Sequence, residues 1–200
     1  MGELCDEHGI LLVADEVQSG MGRTGRWWAI QHSDVEPDII TTAKGIASGM
    51  PLGAFIARDS VMTWPAGAHG STFAGNPVCA AAGKATMDLI EGGLMENAAR
   101  MGARLRAGLE QVASQHEGVR DIRGAGLMLG VEFASHQAAN AVELAAFERG
   151  LLLLECGEAT IRLCPPLIVD EAAVDTAIRL FGEAIEAAAT PVKGINETGG

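Results

Sequence analysis

Apolar residues run unbroken from Ile10 to Ala14 and stop at Asp15. A run this short, bounded by polar positions, reads as a strand buried on both faces. Residues 38–42 predict a second short strand, with Lys44 just past its end, and 53–57 a third. Residues 3–8 look like the end of a helix closed by Gly9. The stretch 19–26 holds Gly20, Gly22 and Gly25 and reads as a flexible loop. Trp27 to Ile30 should then begin a short helical segment.

The second half changes period. Asn76-Pro77 marks a helix start, because Pro at an early helical position forfeits no needed N–H. That helix should run to about Glu91, where Gly92-Gly93 ends it. From Leu94 the apolar residues Leu94, Ala98, Met101, Leu105, Leu109 and Val112 step by three or four, which is one face of a second helix. Strands are expected over 127–133, 151–154 and 160–164, and a helix over 137–149. Asp170 should cap a final helix with Val174, Ile178, Phe181 and Ile185 on one face. The tail from Pro191 is expected to be disordered. The pattern predicts an α/β architecture: residues 1–92 form the end of a large α/β domain, and 93–200 a smaller α+β domain.

Composition narrows the function classes. The net charge of −12 argues against nucleic acid and anionic membrane surfaces, both of which need clustered Lys and Arg. No apolar run approaches the roughly 20 residues that span a bilayer. Tyr is absent and aromatics make up only 4%, so aliphatic packing must dominate the core. Cys5, Cys79, Cys156 and Cys164 form no C-x-x-C pair and have no His at metal-ligand spacing. They read as reduced, mostly buried thiols of a cytoplasmic protein, with no metal site. The N-terminal residues do not read as a signal peptide.

The candidate chemistry lies at Asp15 and Lys44. In open parallel sheets ligands bind beyond the carboxyl ends of strands, and both residues are expected there. An acid and an amine so placed suit pyridoxal 5′-phosphate. That cofactor needs a lysine to hold its aldehyde covalently and a carboxylate to keep its pyridine nitrogen protonated. Taken singly, each has an ordinary reading, as a surface lysine after a strand or an Asp capping a turn.

The ordered motifs Asp15-Glu16-Val17-Gln18, Gly22-Arg23-Thr24-Gly25, Ala43-Lys44-Gly45, Ser71-Thr72-Phe73, Gly75-Asn76-Pro77 and Arg162-Leu163 before Pro165-Pro166 carry more. At these residues the chain resembles the class III (subgroup II) pyridoxal-phosphate aminotransferases, with the 4-aminobutyrate and acetylornithine aminotransferases as near relatives. The resemblance implies a fold-type I large domain followed by a small C-terminal domain. It assigns Lys44 and Asp15 to catalysis and cofactor binding, Val17 to one face of the ring and Gln18 to the ring's phenolic oxygen. It gives Thr72 to the cofactor phosphate of the neighbouring subunit in a homodimer, and Arg162 to the substrate α-carboxylate. The loop with Arg23 is expected to be a structural turn, Arg23 bonding backbone or carboxylate. Glu16 receives no clear role. Gln31 stands where relatives commonly carry Glu, a change expected to alter local hydrogen bonding.

The implied reaction moves an amino group between an amino donor, such as 4-aminobutyrate, and a 2-oxo acid such as 2-oxoglutarate. A related aminomutase or racemase is a second reading. A third follows from extent: the chain resembles only the C-terminal half of such enzymes. It is therefore expected to be inactive alone or to need a separate N-terminal piece.

Overall fold

The computed structural model describes residues 2–189. The expected disorder from Pro191 onward lies outside them. Backbone contacts divide the chain into two compact units. The first runs to Gly102 and includes Ala125–Met128 and Pro165–Ile168; the second comprises Ala103–Gly124, Leu129–Cys164 and the residues from Val169.

In the first unit, helix α1 (Gly2–His8) precedes a three-stranded sheet in the order β1 (Val13–Asp15), β2 (Ile39–Thr42), β3 (Ala54–Ala57). β1 runs parallel to β2, with Asp15 beside Thr41, and β2 runs antiparallel to β3, with Thr42 beside Ala54. All three expected strands are present. The burial of the first is not: Ile10, Leu11 and Val13 are 57%, 54% and 50% exposed. Ile10 and Leu11 precede β1, which begins at Val13, and among the described residues β1 pairs with β2 alone, as an edge strand.

The core of this unit is built from Met21, Ile46, Ala47 and Ile90, with Trp27, Trp28, Leu52 and Met95 packed against them. The glycine-rich stretch belongs to this packed region and is not the flexible loop expected from its composition. Gly20, Met21, Gly22 and Thr24 are buried. A Cβ on Gly22 would stand 2.9 Å from Ile90 Cγ2, so glycine is there for close approach. A 3-10 turn, Ala29–His32, follows Trp28. Helix α2 (Pro77–Leu89) starts as expected, with Asn76 Oδ1 accepting from the N–H groups of Val78 and Cys79. It ends two residues short of Glu91. A wide turn, Ile90–Leu94, joins it to α3 (Met95–Ala113), and Gly93 takes φ 137° there.

The second unit holds a four-stranded sheet in the order β4 (Val119–Ala125), β5 (Met128–Phe133), β7 (Thr160–Leu163), β6 (Leu154–Cys156). β5 and β6 each pair antiparallel with β7. α4 (His136–Glu148) and α5 (Glu171–Ala189) complete the unit. Leu105, Leu109, Leu129, Val131, Ile161, Val174 and Phe181 are at most 1% exposed and form its core. Truncating one of these leucines to Ala typically costs about 2–5 kcal/mol. Asp170 caps α5 through Oδ1, which accepts from Ala173 N–H at 2.8 Å. Strand β4 was not expected, and the strand read at 151–154 begins only at Leu154. The cysteines are unpaired, but only Cys79 is buried; Cys5 and Cys156 are half-buried and Cys164 is exposed.

Candidate active site

Parallel pairing of β1 with β2 brings two of the expected site residues to one edge. Asp15 is the last residue of β1, and Lys44 follows β2 two residues past Thr42. Neighbouring strands lie about 4.8 Å apart, so both groups leave the sheet at the same carboxyl end. The ladder continues one step further, with Glu16 N–H donating to Thr41 O at 2.9 Å.

The Asp15 carboxylate is fixed on one oxygen. Its Oδ1 accepts from Val17 N–H at 3.1 Å and from the Thr41 hydroxyl at 3.3 Å. No donor among the described residues reaches Oδ2. Asp15 is exposed, Val17 half-buried and Gln18 exposed in the turn that follows. Lys44 is exposed, opens a 3-10 turn and takes the left-handed φ of 45°. Such a backbone is uncommon outside glycine, and Lys44 shares it with Met21 and Ser48. Its amine has no hydrogen bond or ion pair among the described residues. Lys84 contrasts with it. Asp88 holds that ammonium at 2.8 Å, and the hydrogen bond and charge together raise its pKa.

Behind this edge lies a structural centre that no local pattern in the chain announces. Glu16 is only 3% exposed. Its Oε2 accepts from Ser19 Oγ at 2.6 Å and its Oε1 from Ile30 N–H at 2.7 Å. A buried carboxylate is tolerated only when its acceptors are so engaged. Arg23 bonds backbone as expected, donating to the carbonyls of Leu127 and Pro165. His32 Nε2 lies 3.1 Å from Thr24 Oγ1. Gln31 Oε1 accepts from Trp28 N–H at 3.0 Å and closes the 3-10 turn.

Thr72 stands apart from this arrangement. It lies in the exposed segment between β3 and α2, one residue before Phe73, which is 86% exposed. Phe55 of β3, Trp64 and His69 tie that segment to the sheet. Phe55 meets Trp64 edge-on at 5.2 Å, and Trp64 stacks on His69 at 5.6 Å. Arg162 belongs to the second unit. It is half-buried on β7, with Gly130 of β5 and Leu154 of β6 as its register partners.

The donor set at the sheet edge fits pyridoxal phosphate: among the described residues, an amine without a partner, and a carboxylate with one oxygen held and one without a donor. Comparison with known proteins agrees with that chemistry. The profile for the family described as Aminotransferase class-III matches residues 1–185. Acetylornithine aminotransferase of Synechocystis sp. is 43% identical over 187 residues, which are 92% of this chain and 44% of that protein. The enzyme of the same name from Caldanaerobacter subterraneus is 40% identical over 92% of this chain and 47% of its own length. The chain thus spans about half the length of the curated relatives it matches. A transaminase from the marine bacterium Virgibacillus superposes with a TM-score of 0.87 at 36% identity, over 94% of this chain and 47% of that one. Acetylornithine aminotransferase from Elizabethkingia anophelis does so with a TM-score of 0.84 at 34% identity, over 92% and 48%. These likenesses establish the fold-type I architecture, of which the chain carries part. By its matched residues and its fold, this chain belongs to the class III aminotransferases, a pyridoxal-phosphate-dependent family.

Proposed function

We propose that the chain supplies the lysine and aspartate of a transaminase that moves an amino group from an ω-amino donor to a 2-oxo acid such as 2-oxoglutarate. The observation that carries this is the placement of Asp15 at the end of β1 and Lys44 just past the end of the parallel β2, with the amine unpartnered among the described residues and the carboxylate half-engaged. Pyridoxal phosphate, when bound, supplies an electrophilic carbon for the donor amine and an electron sink in its ring. Lys44 would hold the cofactor through its amine, and the same amine is the group that would take up and return a proton at the donor carbon. Asp15 keeps the pyridine nitrogen protonated, which strengthens the sink. Val17 and Gln18, in the turn after β1, would help to hold the cofactor ring. Thr72 meets the phosphate held by a second copy in a homodimer. Arg162 grips the substrate α-carboxylate through two parallel hydrogen bonds. The domain limits belonging to this reading are 1–92 and 93–200, and the four free thiols favour a cytoplasmic setting.

The donor expected from sequence, 4-aminobutyrate, shares a terminal amine with N-acetylornithine, which the relatives' names indicate. The ω-amino class embraces both. A second reading has a specific observation in its favour. Val13 is exposed on the edge strand and Ile10 and Leu11 are exposed in the segment leading into it, as they would be if a further polypeptide completed the sheet. Turnover would then require that complement.

The test is chemical and needs no turnover. The chain is incubated with pyridoxal phosphate, reduced with borohydride and peptide-mapped. Label concentrated at Lys44, and lost in Lys44→Ala, is the expected result. Label at Lys84 or Lys193 in its place overturns the assignment.

A further inference from the structure

We infer that Thr41 is the positioning residue for Asp15. Its hydroxyl, donated to Oδ1, turns Oδ2 toward the cofactor's pyridine nitrogen. The inference rests on the proposed role of Asp15 as the partner of that nitrogen.

Four observations support it. Thr41 is the register partner of Asp15 across the parallel pair. Cα partners in neighbouring strands project to the same face, so the two side chains stand side by side. The hydroxyl lies 3.3 Å from Oδ1, the oxygen that also accepts from Val17 N–H at 3.1 Å. Thr41 is itself held on both sides. Its carbonyl accepts from Glu16 N–H at 2.9 Å, and its backbone pairs with Phe55 of β3. A β-branched residue has few χ1 choices in such a strand, so the hydroxyl is a fixed donor.

The chemical consequence is directional. A carboxylate rotates about its terminal bond over a broad range. Two donors on one oxygen remove that freedom and leave the second oxygen as the acceptor for an N–H. Asp15 cannot rely on burial for its orientation, since it is exposed. Val17 N–H is a backbone donor that every side chain but proline would supply. Thr41 is the side-chain donor, and residue type decides whether it exists.

The experiment follows protonation of the pyridine nitrogen. Pyridoxal phosphate labelled with 15N in the ring is reduced onto Lys44 of the full chain. Peptide mapping confirms the attachment, and the ring-nitrogen NMR shift is titrated against pH. In the parent chain Asp15 should hold the proton to higher pH. Thr41→Val keeps the branched shape and removes the donor. It should weaken proton binding about 3- to 10-fold, a fall in the midpoint of roughly half to one pH unit. Thr41→Ser should restore the parent midpoint, and Asp15→Asn should lower it furthest. A midpoint moved by Asp15→Asn but not by Thr41→Val overturns the Thr41 role while the Asp15 reading stands. A midpoint moved by neither overturns the Asp15 reading, and the Thr41 role falls with it.

Discussion

At the scale of single residues, a chemical motif and its support differ in how far they can be read from the chain. Asp15 and Lys44 are visible because each follows an apolar run. Glu16 is adjacent to Asp15 and has a different task. Its partners are Ser19 Oγ, three residues on, and Ile30 N–H, fourteen residues on. No local period signals the second contact, so its burial could not be foreseen. The prediction is one of stability. Glu16→Ala leaves the half-buried Ser19 hydroxyl and the half-buried Ile30 N–H without their acceptor, at a cost of about 1–3 kcal/mol. Glu16→Gln keeps one acceptor oxygen and should cost less. Urea unfolding followed by circular dichroism would show the midpoints in that order. Equal midpoints for Ala and the parent would mean that water replaces the carboxylate without loss.

At the scale of elements, helices were more legible than strands. Every apolar position assigned to the α3 face from Ala98 to Leu109 is at most 1% exposed, because a 3.6-residue period carries its own check over many turns. Strand β4 is hard to read from the chain because Val-Arg-Asp-Ile-Arg-Gly-Ala is charged at three of its seven positions and shows no alternation of apolar and polar residues. Its side chains are spent at the surface, where Arg123 donates to Thr160 Oγ1 at 3.0 Å. The Gly92-Gly93 break was legible as a helix end, and the structure separates the two glycines. Gly93 takes φ 137°, whereas Gly92 has no positive φ, and a Cβ on either would meet nothing within 4 Å. The two substitutions therefore isolate backbone strain from crowding. Gly93→Ala should lower stability by about 1–2 kcal/mol, and Gly92→Ala should be near neutral or slightly stabilising. Thermal melts of the pair would reveal this. Equal melting temperatures would mean that the turn relaxes to another path.

At the scale of the whole molecule, an apolar run records what a strand can bury, and its burial depends on neighbours elsewhere in the polypeptide. Ile10 to Ala14 has the composition of a strand covered on both faces. Yet Ile10, Leu11 and Val13 are at least half exposed, and Ile56 of β3 is 51% exposed. β1 also presents an edge whose N–H and C=O groups can pair with another strand. Apolar side chains on an open sheet edge favour association, and the net charge of −12 opposes it at pH 7. The balance should shift with pH. Near the sequence pI of about 4.7 the repulsion vanishes while the apolar edge remains. Self-association should therefore rise as pH falls toward that value, and also as salt screens the charge at pH 7. Val13→Lys places a charge on the first residue of β1, at the end of the exposed run. Lysine on edge strands is a common device against edge-to-edge pairing, so this variant should resist edge-driven self-association to higher concentration at pH 7 with added salt. Sedimentation velocity on the parent and variant would decide. If Val13→Lys left the association unchanged while an exposed change far from the sheet, such as Phe147→Lys on α4, abolished it, the contact surface would lie on the second unit. The β1 edge would then carry its apolar residues without consequence for assembly.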